Sequence, residues 1–61
     1  MKEYKAYLLR ADGKIAKRVD LFCEDDEAAK LHAKNLATDR VVELWQGARK
    51  IAVYHPLASG D

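Results

Sequence analysis

Only one stretch of this chain repeats its apolar residues at helical spacing, and it lies between two pairs of strand-like runs. Residues 23–38, "CEDDEAAKLHAKNLAT", carry that period. Asp25 is the expected N-cap, and Asp26 and Glu27 suit the positive end of the helix dipole. Asp26 stands four residues before Lys30, a supportive spacing. Ala28, Ala29, His32, Ala33, Leu36 and Ala37 fall on one broad side, with Glu27, Lys30 and Lys34 opposite and Leu31 at the polar edge. A helix of about twelve residues is roughly 18 Å long and 10 Å across. It can cover one face of a four-stranded sheet and leaves the other bare.

The strands follow from alternation and turn chemistry. Residues 3–10, "EYKAYLLR", and 15–22, "IAKRVDLF", flank "ADGK", in which Asp12-Gly13 predicts a type I′ hairpin. That turn pairs Arg10 with Ile15, Leu8 with Lys17, Ala6 with Val19 and Tyr4 with Leu21. One face then collects Tyr4, Ala6, Leu8, Ile15, Val19 and Leu21. The other carries Lys5, Tyr7, Leu9, Ala16, Arg18, Asp20 and Phe22, with Lys5 opposite Asp20. A three-residue loop with a bulge would slip this register by one and bury Leu9 instead; the first register aligns more apolar residues.

"VVELWQGARKIAVY", residues 41–54, reads as a second hairpin. A turn at Gly47-Ala48 or a four-residue loop "QGAR" gives the same pairing: Leu44 with Ile51, Val42 with Val53, Trp45 with Lys50. The fold class is therefore α+β, in the order β-β-α-β-β, with a four-stranded sheet and one helix on one face. Strand orders 2-1-3-4 and 1-2-4-3 are wholly antiparallel, while 1-2-3-4 and 2-1-4-3 each need one parallel pair. Chain direction brings the "QGAR" turn to the helix start, with Arg49 near Glu24, Asp25, Asp26 and Glu27. The Asp12-Gly13 turn goes to the opposite end, near Arg40.

The chain has 61 residues, enough for one domain, with a frayed tail expected over 55–61. So short a chain buries only about 60% of the surface its unfolded form exposes. Its one cysteine, Cys23, cannot close an internal disulfide, and no ligand spacing marks a structural metal. Self-association is the remaining source of stability. Eleven Lys and Arg against ten Asp and Glu leave a net charge of +1, less basic than a dedicated duplex-DNA binder. No apolar run reaches about 18 residues and no signal-peptide pattern opens the chain, so the expectation is a cytoplasmic protein away from membranes.

"YKAYLLRADGKI", "EDDEAAKLHAK" and "VELWQGARKIA" resemble a set of small, uncharacterised proteins common in alphaproteobacterial genomes. There, a "Y..Y.L...G.I" hairpin precedes an acidic, alanine-rich helix and an "ELWQG.R.I" hairpin. The resemblance implies the β-β-α-β-β fold and carries no activity onto any residue.

Candidate chemistry is sparse. The acidic run Glu24–Glu27 lacks the spaced oxygens and glycine of a calcium loop and reads as a helix start. His32 reads as a packed histidine on the inner half of the helix, and His55 as an exposed residue before Pro56. Cys23 is followed by acids, the opposite of an activating setting. No Ser/His/Asp set, phosphate loop or CxxC is present. We therefore expect no enzyme, no cofactor and no metal.

What remains is the bare face, expected to hold Tyr7, Leu9, Phe22, Val41, Trp45, Ala52 and Tyr54 among Lys5, Arg18 and Lys50. A patch of that kind is seldom left in water. The interface set expected from it is Tyr7, Leu9, Arg18, Phe22, Val41, Trp45, Lys50 and Tyr54. A non-enzymatic interaction module follows, most simply a homodimer with stacked sheets, or a module for another protein partner. The alternative is single-stranded nucleic acid (RNA) stacked on the aromatics, with Arg18, Lys5 and Lys50 on phosphates.

Overall fold

The computed structural model describes residues 1–56; of the tail expected over 55–61, residues 57–61 lie outside the described residues. The strands are β1 (Lys2–Leu9), β2 (Ile15–Cys23), β3 (Val42–Gln46) and β4 (Arg49–Tyr54), with the helix α1 (Asp26–Leu36) between β2 and β3. They form one antiparallel sheet in the order β2-β1-β3-β4. This is the expected β-β-α-β-β fold, in one of its two wholly antiparallel arrangements.

The first turn differs from the expected one. Among the described residues only glycines take positive φ, so Asp12 does not serve a type I′ turn. Instead Gly13 N donates to Arg10 O at 2.8 Å and Arg10 N to Lys14 O at 2.7 Å, closing a three-residue loop with Gly13 at φ 87°. The Asp12 carboxylate accepts from Lys14 N at 3.0 Å, which holds the loop locally. Such a loop slips the register by one. A bulge then restores it: Leu8 faces Lys17 while Leu9 faces Ile15, and Ala16 is the extra residue. From Leu8 to Tyr4 the pairing is the expected one, because a lasting slip would turn Arg18 and Asp20 into the core.

The second hairpin has the two-residue turn. Gly47 at φ 60° precedes Ala48, whose φ is not positive, which is the type II′ pattern. Trp45 faces Lys50 as expected. Beyond it, a bulge leaves Ile51 as the extra residue, so Leu44 faces Ala52 and Val42 faces Tyr54. Two expectations are corrected here: Ala52 and Tyr54 lie on the helix side, and Val53 is turned outward opposite Glu43. The bulge lets both Ile51 and Tyr54 pack against the core, in place of Ile51 and the smaller Val53.

The core lies between sheet and helix. Tyr4, Ala6, Val42 and Leu44 are fully buried from the sheet, and Ala29 and Ala33 from the helix. Cys23 is buried beside them. Two alanines at i and i+4 present no side chain beyond Cβ, so the helix axis approaches the sheet closely. Asp25 is the N-cap and accepts from Ala28 N at 2.9 Å. The inner side of the helix is rotated from the expected one, away from His32, which is exposed, and towards Asp26.

Asp26 is consequently not the outward partner of Lys30, which pairs with Glu27 at 3.5 Å. It accepts from the Tyr4 hydroxyl at 2.8 Å and pairs with Arg49 at 3.4 Å. The latter contact places the Gly47-Ala48 turn at the helix start, and a cleft shared by Arg10, Ala11, Asp39 and Arg40 places the first turn at the other end. Both placements match the expected chain path.

Burial, and then the bond to Asp26, push the Tyr4 hydroxyl up to about 12. The Tyr4 bond, and then Arg49, hold the Asp26 carboxyl below its ordinary range against the opposing effect of burial. Because Asp26 titrates lower in the folded chain, its stabilisation is present above the unfolded value, about 3.9, and is lost on acidification. Tyr4 titrates higher when folded, so its stabilisation is complete below about 10 and is lost between about 10 and 12. Melting temperature should therefore be level across neutral pH and fall at both extremes. Tyr4→Phe should lower the plateau and shrink both limbs; thermal melts showing an unchanged profile would rule out the bond. Separately, Ala33→Leu should destabilise by about 1–3 kcal/mol through overpacking. That corresponds to roughly 4–8 °C of melting temperature per kcal/mol.

Candidate interaction surface

Alternation along β1 and β3 sends Tyr4, Ala6, Val42 and Leu44 to the helix and leaves a second face over which the described residues place no secondary structure. Register places its residues in rows across the sheet. Asp20, Lys5, Trp45 and Lys50 form one row, and Arg18, Tyr7, Glu43 and Val53 the next. Phe22 and Glu3 lie beyond the first row, while Leu9 and Val41 lie beyond the second, joined by Leu9 N donating to Val41 O at 2.8 Å. Of the expected interface residues, Tyr7, Leu9, Arg18, Phe22, Val41, Trp45 and Lys50 fall on this face. Tyr54 does not; it packs against the core on the opposite side.

The aromatic residues are less bare than alternation alone implies. Trp45 and Tyr7 are diagonal neighbours on adjacent strands, their ring centroids 6.4 Å apart at 77°, an edge-to-face contact. Lys50 Nζ stands 5.9 Å from the Trp45 centroid, within cation–π range. The indole Nε1 donates to Glu43 Oε1 at 3.1 Å. Trp45 is therefore half-buried within its own chain. The large apolar side chains open to solvent on this face are Phe22, 61% exposed, Val53, 39%, and Ile15, 47%, which was expected on the core face and is turned here, opposite Leu9, by the first bulge.

Sequence reasoning placed Asp20 on this face and missed the other two carboxylates, Glu3 and Glu43. Glu3, Asp20 and Glu43 share the face with Lys5, Arg18 and Lys50, so three negative and three positive groups balance. Lys5 donates to Asp20 at 2.8 Å, the expected pair, and lies 3.7 Å from Glu3. The hydrogen bond to Asp20 is the main cause of a raised Lys5 pKa. Among the described residues, Arg18 and Lys50 form no ion pair with any carboxylate, and Glu43 forms none with a cation. Glu43 could have been found from its position two residues before Trp45, on the same side of the same strand.

At one end of the face, Leu9 and Val41 join Arg10, Arg40 and Pro56 around a shallow cleft of about 350 Å³. Among the described residues, no three of His, Cys, Asp and Glu come together as metal ligands. Nor is any described helix long and apolar enough to cross a membrane. No protein-family model, no curated protein and no solved structure matches the chain.

Trp45 is the single tryptophan, so its emission reports on this face alone. Tyr7→Ala removes the ring packed on the indole edge and should shift the emission to the red. An unshifted spectrum would mean that Tyr7 does not shield the indole in solution.

Proposed function

We propose that this protein is a non-enzymatic interaction module that homodimerises through the open sheet face. One observation carries the reading. An aromatic pair, Tyr7 and Trp45, sits at the centre of a face whose six charged groups sum to zero. Aromatic anchors bury area at low entropic cost, and a face without net charge does not repel its own copy. Four strands about 4.8 Å apart and about 20 Å long offer roughly 400 Å² of flat area per protomer. Two protomers bury roughly 800 Å², below the roughly 1,200 Å² of a standard interface, so the contact is a weak one. A reducing cytoplasm goes with this reading, since Cys23 is a buried free thiol.

Single-stranded nucleic acid on the same face is the second reading, favoured by Trp45 and Tyr7 beside Arg18 and Lys50, which have no carboxylate partner among the described residues. Glu3, Asp20 and Glu43 weigh against it, because each would repel a phosphate backbone. Another protein in place of the second copy is a third occupant.

Light scattering over a micromolar concentration series should return twice the 6.9 kDa of one chain. Trp45→Ala should weaken the dimer by about 2 kcal/mol or more, whereas Lys34→Ala on the helix's outer face should change it by a few tenths. Circular dichroism checks that both variants stay folded. A single-chain mass at every concentration would refute dimerisation, and binding of an oligonucleotide that weakens steeply with salt would favour the second reading.

A further inference from the structure

The shallow cleft at the end of the open face is built largely from two loops. The first turn brings Arg10 to it, and the link between α1 and β3 brings Asp39, Arg40 and Val41. Leu9, Val41 and Pro56 give it apolar walls around about 350 Å³, the scale of the smaller small-molecule sites. The dimer reading makes no use of Arg10 or Arg40.

Charge and unused donors in the lining point to an anion. Two guanidiniums, Arg10 and Arg40, against one carboxylate, Asp39, leave the lining at +1. Arg40 forms no ion pair among the described residues, and Arg10 forms only a long one, 3.9 Å from its Nε to Asp12. A pair of that kind between exposed side chains is worth little and leaves the rest of the guanidinium free to donate. The backbone N–H groups of Asp39, Arg40 and Val41 likewise make no hydrogen bond among the described residues. Backbone donors seldom go without a partner, and Val41 is half-buried.

The apolar walls narrow the class of anion. A phosphate dianion exceeds the charge of the lining, meets Asp39, and turns oxygens towards Leu9, Val41 and Pro56, whose side chains donate nothing. A carboxylate presents two oxygens that match the guanidinium fork, and a hydrocarbon tail matches the walls. We propose that the cleft binds a small monocarboxylate with a short apolar chain. Arg40 and Arg10 hold the carboxylate, and the chain lies on Leu9, Val41 and Pro56.

Nuclear magnetic resonance on the nitrogen-labelled full chain tests this, with hexanoate as the probe. Hexanoate should shift the amide signals of Asp39, Arg40 and Val41 saturably. Hexanamide, with the same chain and no charge, should bind at least about tenfold more weakly, the loss of one charge-assisted hydrogen bond. Arg40→Ala should weaken hexanoate by a similar factor, its otherwise unchanged spectrum showing that it is folded. Lys30→Ala on the helix should leave the affinity as it was. No saturable shift at residues 39–41 would overturn the proposal. So would hexanamide or inorganic phosphate binding as tightly as hexanoate: the first would mark a plain apolar groove, the second an unselective anion site. An affinity unchanged in Arg40→Ala would overturn it too, because the guanidinium would then play no part.

Discussion

The hydroxyl of Tyr4 ends on Asp26, and much of the arrangement depends on that contact. Tyr4 is a fully buried side chain at the centre of the sheet, and Asp26 is the first residue of the helix. The bond therefore fixes where along the sheet the helix begins and which way it is rotated. Arg49 reaches the same carboxylate from the turn of the second hairpin, so β1, α1 and β4 are tied at one point. Alanines 29 and 33 then let the helix settle closely, with Leu36 packed against the core at its far end. A buried phenol would leave an expensive unmade hydrogen bond if the helix turned away.

With the helix committed to one face, the other must manage on its own. It does so partly by internal packing. The indole of Trp45 is flanked by Tyr7 and Lys50 and tethered to Glu43, so a side chain that alternation sends to solvent is half-covered by its neighbours. The charges on this face are spread across strands rather than gathered in one patch, the arrangement on which a second copy is proposed in preference to a polyanion. Preorganised aromatics of this kind enter an interface with little side-chain entropy left to lose.

The element order, the N-cap at Asp25, the Lys5–Asp20 pair and the chain path were legible in the sequence because each depends on local chemistry or chain direction. The two bulges were not. Neither the Ala16 nor the Ile51 position bears a glycine or other marker, and each bulge arises from a competition between turn geometry and the burial of large side chains. That competition moved Tyr54 into the core and Val53 out of it. The rotation of the helix was similarly hidden: an aspartate on the inner edge reads as a dipole partner until a buried tyrosine is seen to meet it. For the candidate surface, alternation placed Tyr7, Trp45, Arg18 and Lys50 on one face, but their exposure depends on cross-strand diagonals that only a register reveals.

The two bulges share a further property. In the order β2-β1-β3-β4 they fall on the outer strands, one on each border of the sheet. An unbroken outer strand is a template on which another chain can continue the ladder, and such growth has no natural end. An extra residue breaks the regular repeat of outward N–H and C=O groups and twists the border locally. Both routes to open-ended polymerisation are thereby obstructed at small cost in burial. A contact through the flat face about a two-fold axis, by contrast, is complete after two copies. Bulged borders with a charge-balanced face favour an assembly that stops over one that extends into a fibre.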